Sequence, residues 1–155
     1  MSVAEIPKVE LHVHLEGTAP PALVRRIADR NGLRLPEGLL AAPDRFAWRD
    51  FLDFLNTYNL AASVIRTPAD YRDVTYEYLA SCAREGAIYL ELIASPGHAD
   101  SVGLSDDEHF GGIAAGIDDD RFGGVTRGAD DVAVRPDRAE LVTVDDDAHV
   151  VLTWR

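Results

Sequence analysis

Two hydrophobic periods divide the chain into elements. From Lys8 to Leu15 apolar and polar residues alternate: Val9, Leu11, Val13 and Leu15 are separated by Glu10, His12 and His14. This predicts a strand whose apolar face lies opposite the two histidines. Pro20 to about Asn31 reads as a helix with Leu23 and Ile27 on one side and Gly32 as its stop. Residues 33–45, with Pro36, Gly38 and Pro43, read as a loop. Helical spacing returns from about Phe46 to Ile65, carried by Phe51, Leu55, Tyr58, Ala62 and Ile65. Thr67-Pro68-Ala69-Asp70 then supplies an N-cap, a proline at N1 and an acid at N3. It opens a helix through Tyr71, Val74, Tyr78, Leu79 and Cys82 that stops at Gly86.

The run Ala87 to Ala94, ended by Ser95-Pro96, predicts a second, mostly buried strand. Ser105 to Glu108 is a capping box opening a helix to about Ile117. Strand, helices, strand, helix is the order of a parallel α/β fold with right-handed crossovers. Residues 121–155 differ in character. Leu141–Val144 and Val150–Trp154 flank Asp145-Asp146-Asp147, which reads as a β-hairpin with an acidic turn or as a poorly ordered tail.

Composition narrows the classes. The net charge of −12, from 15 basic and 27 acidic residues, opposes nonspecific binding to nucleic acid or to an acidic membrane. No stretch approaches the ~18 apolar residues of a membrane span, and Glu5 and Pro7 interrupt any signal-like run. A soluble cytoplasmic protein is the expectation. Cys82 is the single cysteine, so neither an internal disulfide nor a thiolate metal site is expected, and its place in a helical pattern marks it as a core thiol.

The candidate chemistry sits at the end of the first strand. Residues two apart on a strand share a face and lie roughly 6.5–7 Å apart, so His12 and His14 are able to converge on one metal ion. Glu16 and Gly17 follow at once, and Thr18, Pro20 and Pro21 form a helix entry. Strand, His-x-His, short loop and helix is the opening of a metal-dependent (β/α) barrel, whose catalytic groups lie at the C-terminal strand ends.

The string Pro7-Lys8-Val9-Glu10-Leu11-His12-Val13-His14-Leu15-Glu16-Gly17-Thr18 resembles the opening of adenosine deaminases, members of the metal-dependent amidohydrolase superfamily. The likeness continues through Phe51-Leu52-Asp53-Phe54-Leu55 and Tyr89 to Pro96, covers roughly residues 5 to 120, and fades beyond. It implies a partial (β/α)8 TIM-type barrel in residues 1–120, followed by a divergent tail in 121–155. An eight-fold barrel typically needs ~250 residues, so the shortfall reads as a fragment, a shortened gene, or a site completed by something else.

The resemblance also implies a reaction: zinc-dependent hydrolysis of adenosine to inosine and ammonia. It casts His12 and His14 as the first two metal ligands. It casts His14 and Glu16 as lining the ribose side of the substrate, with the Glu16 carboxylate accepting ribose hydroxyls. Gly17 allows close backbone approach, and Trp48, Phe51, Leu52 and Leu55 form an apolar helix near the pocket entrance. In the family a third histidine, an aspartate, a glutamate proton shuttle and a further histidine come from later strands, and this chain shows no matching motif for them. His98 falls near the expected mouth and is the one substitute considered. His109 reads as a surface helix residue and His149 as a strand residue beside a turn. Two rivals stand beside this reading. One is a noncatalytic half-barrel that binds metal weakly or self-associates through exposed strand edges and core faces. The other is a deaminase of adenine or another 6-aminopurine nucleoside, against which Glu16 mildly favours a ribose-bearing substrate.

Overall fold

The computed structural model describes residues 6–119 and 121 in full, together with the backbone of four strands between 126 and 153. Strand β1 (Lys8–His14) runs into a short 3-10 turn over Leu15–Thr18 and then helix α1 (Pro21–Arg30). Strands β2 (Leu40–Ala42) and β3 (Arg45–Phe46) make a small hairpin inside the stretch read as loop. Helix α2 covers Phe51–Ala62 and α3 covers Pro68–Glu85. Strand β4 (Ala87–Ile93), helix α4 (Pro96–Ser101) and helix α5 (Asp106–Ile117) follow. Beyond them lie β5 (Thr126–Arg127), β6 (Val132–Ala133), β7 (Glu140–Val144) and β8 (His149–Thr153). The acidic turn at 145–147 lies outside the described residues.

The main sheet has the order β1-β4-β8-β7. Strand β4 pairs with β1 in parallel and with β8 antiparallel. The expected parallel pairing of the two N-terminal strands is present, and β7 and β8 pair as the antiparallel partners that the hairpin reading called for. His149 opens β8, opposite Ile93.

Local chemistry sets the helix ends. Asp70 closes a capping box with Thr67 at the start of α3, and Gly86, with φ of 84°, ends it in the left-handed conformation that glycine adopts without strain. Ser105 and Glu108 close the second capping box at α5. Helix α2 is shorter than its periodicity predicts, because Asp50 accepts a hydrogen bond from the Asp53 N–H and fixes the start there, while Phe46 is already spent in β3. The six residues of α4, with Pro96 at N1, have no hydrophobic repeat long enough to announce them.

The core lies between one face of the sheet and helices α1, α3 and α5. Leu90 and Leu92 of β4 meet Leu23, Val24 and Ile27 of α1, Tyr71, Val74 and Leu79 of α3, and Ile113 and Ile117 of α5 in one cluster. Cys82 belongs to this cluster, and burial pushes its thiol up to about 11, as expected of a packing residue. No helix among the described residues is long and apolar enough to cross a membrane.

Candidate functional site

The placement of the histidines depends on an irregularity in β1. Glu10 pairs with Leu90 and Val13 with Leu92, so Leu11 and His12 together oppose the single residue Glu91. That is a β-bulge, and His12 sits in it with φ of +57°. The bulge reverses which face the following residues take. Before it, Glu10 shares the helix-facing side with Leu90, and Val9 and Leu11 lie on the opposite, open face with exposures of 57% and 58%. After it, Val13 and Leu15 pack toward the core while His12 and His14 occupy the open face.

The expectation that His12 and His14 share a face therefore holds, by a route that alternation does not describe. The expectation that Val9 and Leu11 fill the opposite face is corrected: they share the histidines' side. The two imidazoles stand edge to face with ring centroids 5.5 Å apart. Zinc sits about 2 Å from a ligating nitrogen, so two imidazoles on one ion have centroids up to about 6 Å apart. The donor set fits two positions of a metal shell. Among the described residues no group of three or more His, Cys, Asp or Glu side chains is placed to hold an ion. His98 contacts the Ile65 carbonyl at 3.3 Å.

A pocket of about 480 Å³ opens beside His14. Its walls include Gly17, Trp48, Phe54, Leu55 and Tyr58, so they are mainly apolar and aromatic. Gly17 is needed there, because a Cβ at that position would lie 2.6 Å from the Tyr58 ring. Of the α2 residues assigned to an entrance, Leu55 lines this pocket while Phe51 and Leu52 do not. They are 69% and 71% exposed in the first turn of α2, where the Phe51 ring stacks 6.3 Å from that of Phe54, itself a wall of the pocket.

Glu16 is turned away from the pocket. It is 1% exposed. One carboxylate oxygen accepts the Ser95 backbone N–H at 3.0 Å, and the other accepts the Ser95 hydroxyl at 2.9 Å. The Tyr71 phenol reaches the first oxygen at 3.5 Å. This ties the C-terminal end of β1 to that of β4. In the short turn that follows the strand, the 3-10 conformation of Leu15–Thr18 rolls the Glu16 side chain inward, so in this geometry its oxygens are engaged within the fold rather than toward the pocket. Burial together with the nearby Glu16 charge raises the Tyr58 phenol above the ordinary tyrosine value.

His109, read from sequence as a surface residue, is fully buried. Its ring packs 4.4 Å from Tyr71 and 4.9 Å from Phe110. Neither ring nitrogen has a hydrogen-bond partner, and Nε2 lies 3.9 Å from Glu16. Burial holds this imidazole below the ordinary histidine value, against the opposing pull of Glu16. Ser95 was passed over in the sequence as a strand-ending residue; only the fold brings it to Glu16.

Comparison with known proteins agrees with this architecture. Residues 7–129 match the family described as adenosine deaminase. The adenine deaminase of Agrobacterium fabrum is 42% identical over 110 residues, which are 71% of this chain and 33% of that protein. The adenine deaminase of Sinorhizobium medicae is 40% identical over 114 residues, 74% of this chain and 35% of that protein. The chain thus spans about a third of the length of these curated relatives. Among solved structures, the adenine deaminase of Arthrobacter aurescens superposes with a TM-score of 0.63 at 30% identity, over 72% of this chain and 35% of that one. The N6-methyl-AMP deaminase of Arabidopsis thaliana, at 22% identity and a TM-score of 0.60, shares the fold over 76% of this chain and 34% of its own.

Proposed function

Since the chain belongs to the adenosine deaminase family, we propose that it forms the opening part of a metal-dependent 6-aminopurine deaminase barrel whose substrate is the free base adenine. Residues 1–120 carry the barrel part. The family match runs to residue 129, past the boundary at 120, and the divergent addition follows it, consistent with β8 running antiparallel to β4 where a (β/α) barrel continues in parallel.

The observation that carries the choice of substrate is the inward Glu16. A carboxylate with both oxygens engaged by Ser95 and nearly no exposure offers nothing to a sugar hydroxyl. That removes the sequence argument for a nucleoside. The apolar, aromatic walls at Trp48, Phe54 and Tyr58 suit a flat heterocycle. The names of the curated relatives point the same way.

His12 and His14 would hold a divalent ion, with zinc the expected metal. What such an ion contributes is acidification of water, so that a nucleophile exists near neutral pH. The chain's own residues orient the base, exclude water from its faces, and set His14 at the pocket rim. Catalytic groups that act as a unit lose nearly all rate when some are absent. With two metal-ligating imidazoles among the described residues, this chain is expected to bind rather than to turn over.

The test is a titration with adenine and with adenosine, followed by Trp48 fluorescence in a Trp154→Phe background, with zinc binding measured in parallel by calorimetry. Adenine is expected to quench Trp48 at lower concentration than adenosine, and zinc binding to weaken strongly in the His12→Ala, His14→Ala double variant. Tighter binding of adenosine would overturn the free-base assignment. Unchanged zinc binding in the double variant would overturn the metal assignment.

A further inference from the structure

The seat of Glu16 depends on few groups. Ser95 provides the backbone N–H and the hydroxyl, and Tyr71 adds a longer contact. His109, the remaining polar neighbour, does not complete the seat. Its Nε2 is 3.9 Å from Glu16, neither ring nitrogen is hydrogen-bonded, and burial disfavours the cationic form that would attract a carboxylate. It serves as an aromatic wall against Tyr71 and Phe110. Gly17, the residue after Glu16, is a wall of the pocket.

We propose that Ser95 is a specificity-determining residue: its hydroxyl holds Glu16 inside the fold and so denies a sugar hydroxyl its acceptor at the pocket. This rests on the free-base reading above and adds to it the residue that enforces the choice. Losing the Ser95 hydroxyl leaves Glu16 with one short hydrogen bond, from the Ser95 N–H. A buried carboxylate so under-satisfied moves toward solvent, and the residue next to it, Gly17, lines the pocket. There it meets the ribose of a nucleoside. Ser95 thus acts through Glu16 as a positioning residue, without touching the base.

The experiment compares adenine and adenosine binding to the 155-residue chain in the wild type, Ser95→Ala, Ser95→Thr and the Ser95→Ala, Glu16→Gln double variant. Binding is read from backbone amide shifts in NMR titrations. Ser95→Ala is expected to tighten adenosine at least tenfold relative to adenine. Ser95→Thr, which keeps the hydroxyl, is expected to retain the wild-type ratio. The double variant is expected to lose the gain. Unchanged adenosine affinity in Ser95→Ala overturns the proposal, whatever adenine does. A gain that persists in the double variant also overturns it, because Glu16 is then not the acceptor. Weaker binding of adenine than of adenosine by the wild type instead refutes the free-base reading, and the adenosine comparison still decides the role of Ser95. If circular dichroism shows Ser95→Ala unfolded, Ser95→Cys, with a weak thiol donor, takes its place with the same expected direction.

Discussion

Helix α5 contains a matched pair of substitutions of opposite expected sign. At Gly116 a Cβ would stand 2.6 Å from Thr75 Cβ and 2.7 Å from the Arg72 carbonyl oxygen, both on α3. At Gly111, on the outer side of the same helix, it would meet nothing within 4 Å. In both positions replacing glycine by alanine lowers the cost of the helical backbone by roughly 0.5–1 kcal/mol. At Gly111 nothing opposes that gain, so Gly111→Ala should stabilise by about 0.5–1 kcal/mol. At Gly116 the obstructing atoms are a backbone carbonyl and a β-branched side chain, neither of which can swing aside, and overpacking of this kind costs about 1–3 kcal/mol. The net for Gly116→Ala is a loss of about 1–2 kcal/mol, which puts roughly 2 kcal/mol between the two variants. Urea unfolding followed by far-UV circular dichroism at pH 7 resolves such a gap, provided the slopes are equal. If both variants are stabilised alike, α5 does not pack on α3 through its glycines and the helix layer has been misplaced.

Other expectations are brief. Asp70 is held below the usual carboxylate range: burial pushes it up, but hydrogen bonds from the Arg66 N–H, Asn31, Arg30 and Thr67 outweigh that. Its contribution is therefore full above about pH 4, where the unfolded carboxyl ionises, and is lost as pH falls through the lower folded value. Asp70→Asn should cost roughly 2–3 kcal/mol at pH 7 and flatten the acid limb of a stability–pH curve; an unchanged limb would show that the ion cluster around α3 does not drive acid unfolding. His109 is shifted below its ordinary value by burial, so the unfolded chain takes up a proton near pH 6.5 that the folded chain refuses, and stability falls as pH drops below about 6.5. His109→Phe should remove that slope and be no less stable at pH 7, as thermal melts from pH 5 to 8 would establish. Gly17→Ala should drive the Tyr58 ring out of place and weaken adenine binding at least tenfold, with Trp48 fluorescence as the readout.

Much of the scaffold was legible because its signals are local. The capping boxes at Thr67–Asp70 and Ser105–Glu108, the stop at Gly86 and the apolar run of β4 are each contained in a few adjacent residues. What escaped depends on distant partners. Glu16 has the look of a pocket acid until Ser95, 79 residues later, takes both its oxygens. His109 looks like a surface residue on a polar first turn until Tyr71 and Phe110 close around it. The start of α2 at Phe51 was misjudged because the capping of Asp50 outweighs a repeat that runs on into β3. The periodicity of α2 groups Phe51 with Phe54 and Leu55, but only the fold shows that Phe54 and Leu55 line the pocket while Phe51 stacks on Phe54 outside it.

The bulge in β1 has a consequence for insertions and deletions. Removing one residue from a strand is usually among its most damaging edits, since every side chain beyond the cut changes face. Here the strand already carries one residue more than its partner needs at Leu11–His12. Deleting Leu11 would restore one-to-one pairing opposite Glu91, leave both histidines on the open face, and release the imidazole-bearing residue from its left-handed backbone. The lower half of the strand, which anchors the sheet, and its upper half, which presents the histidines, are thereby uncoupled in phase. A lineage can lengthen or shorten the one by a residue while the other keeps its aim.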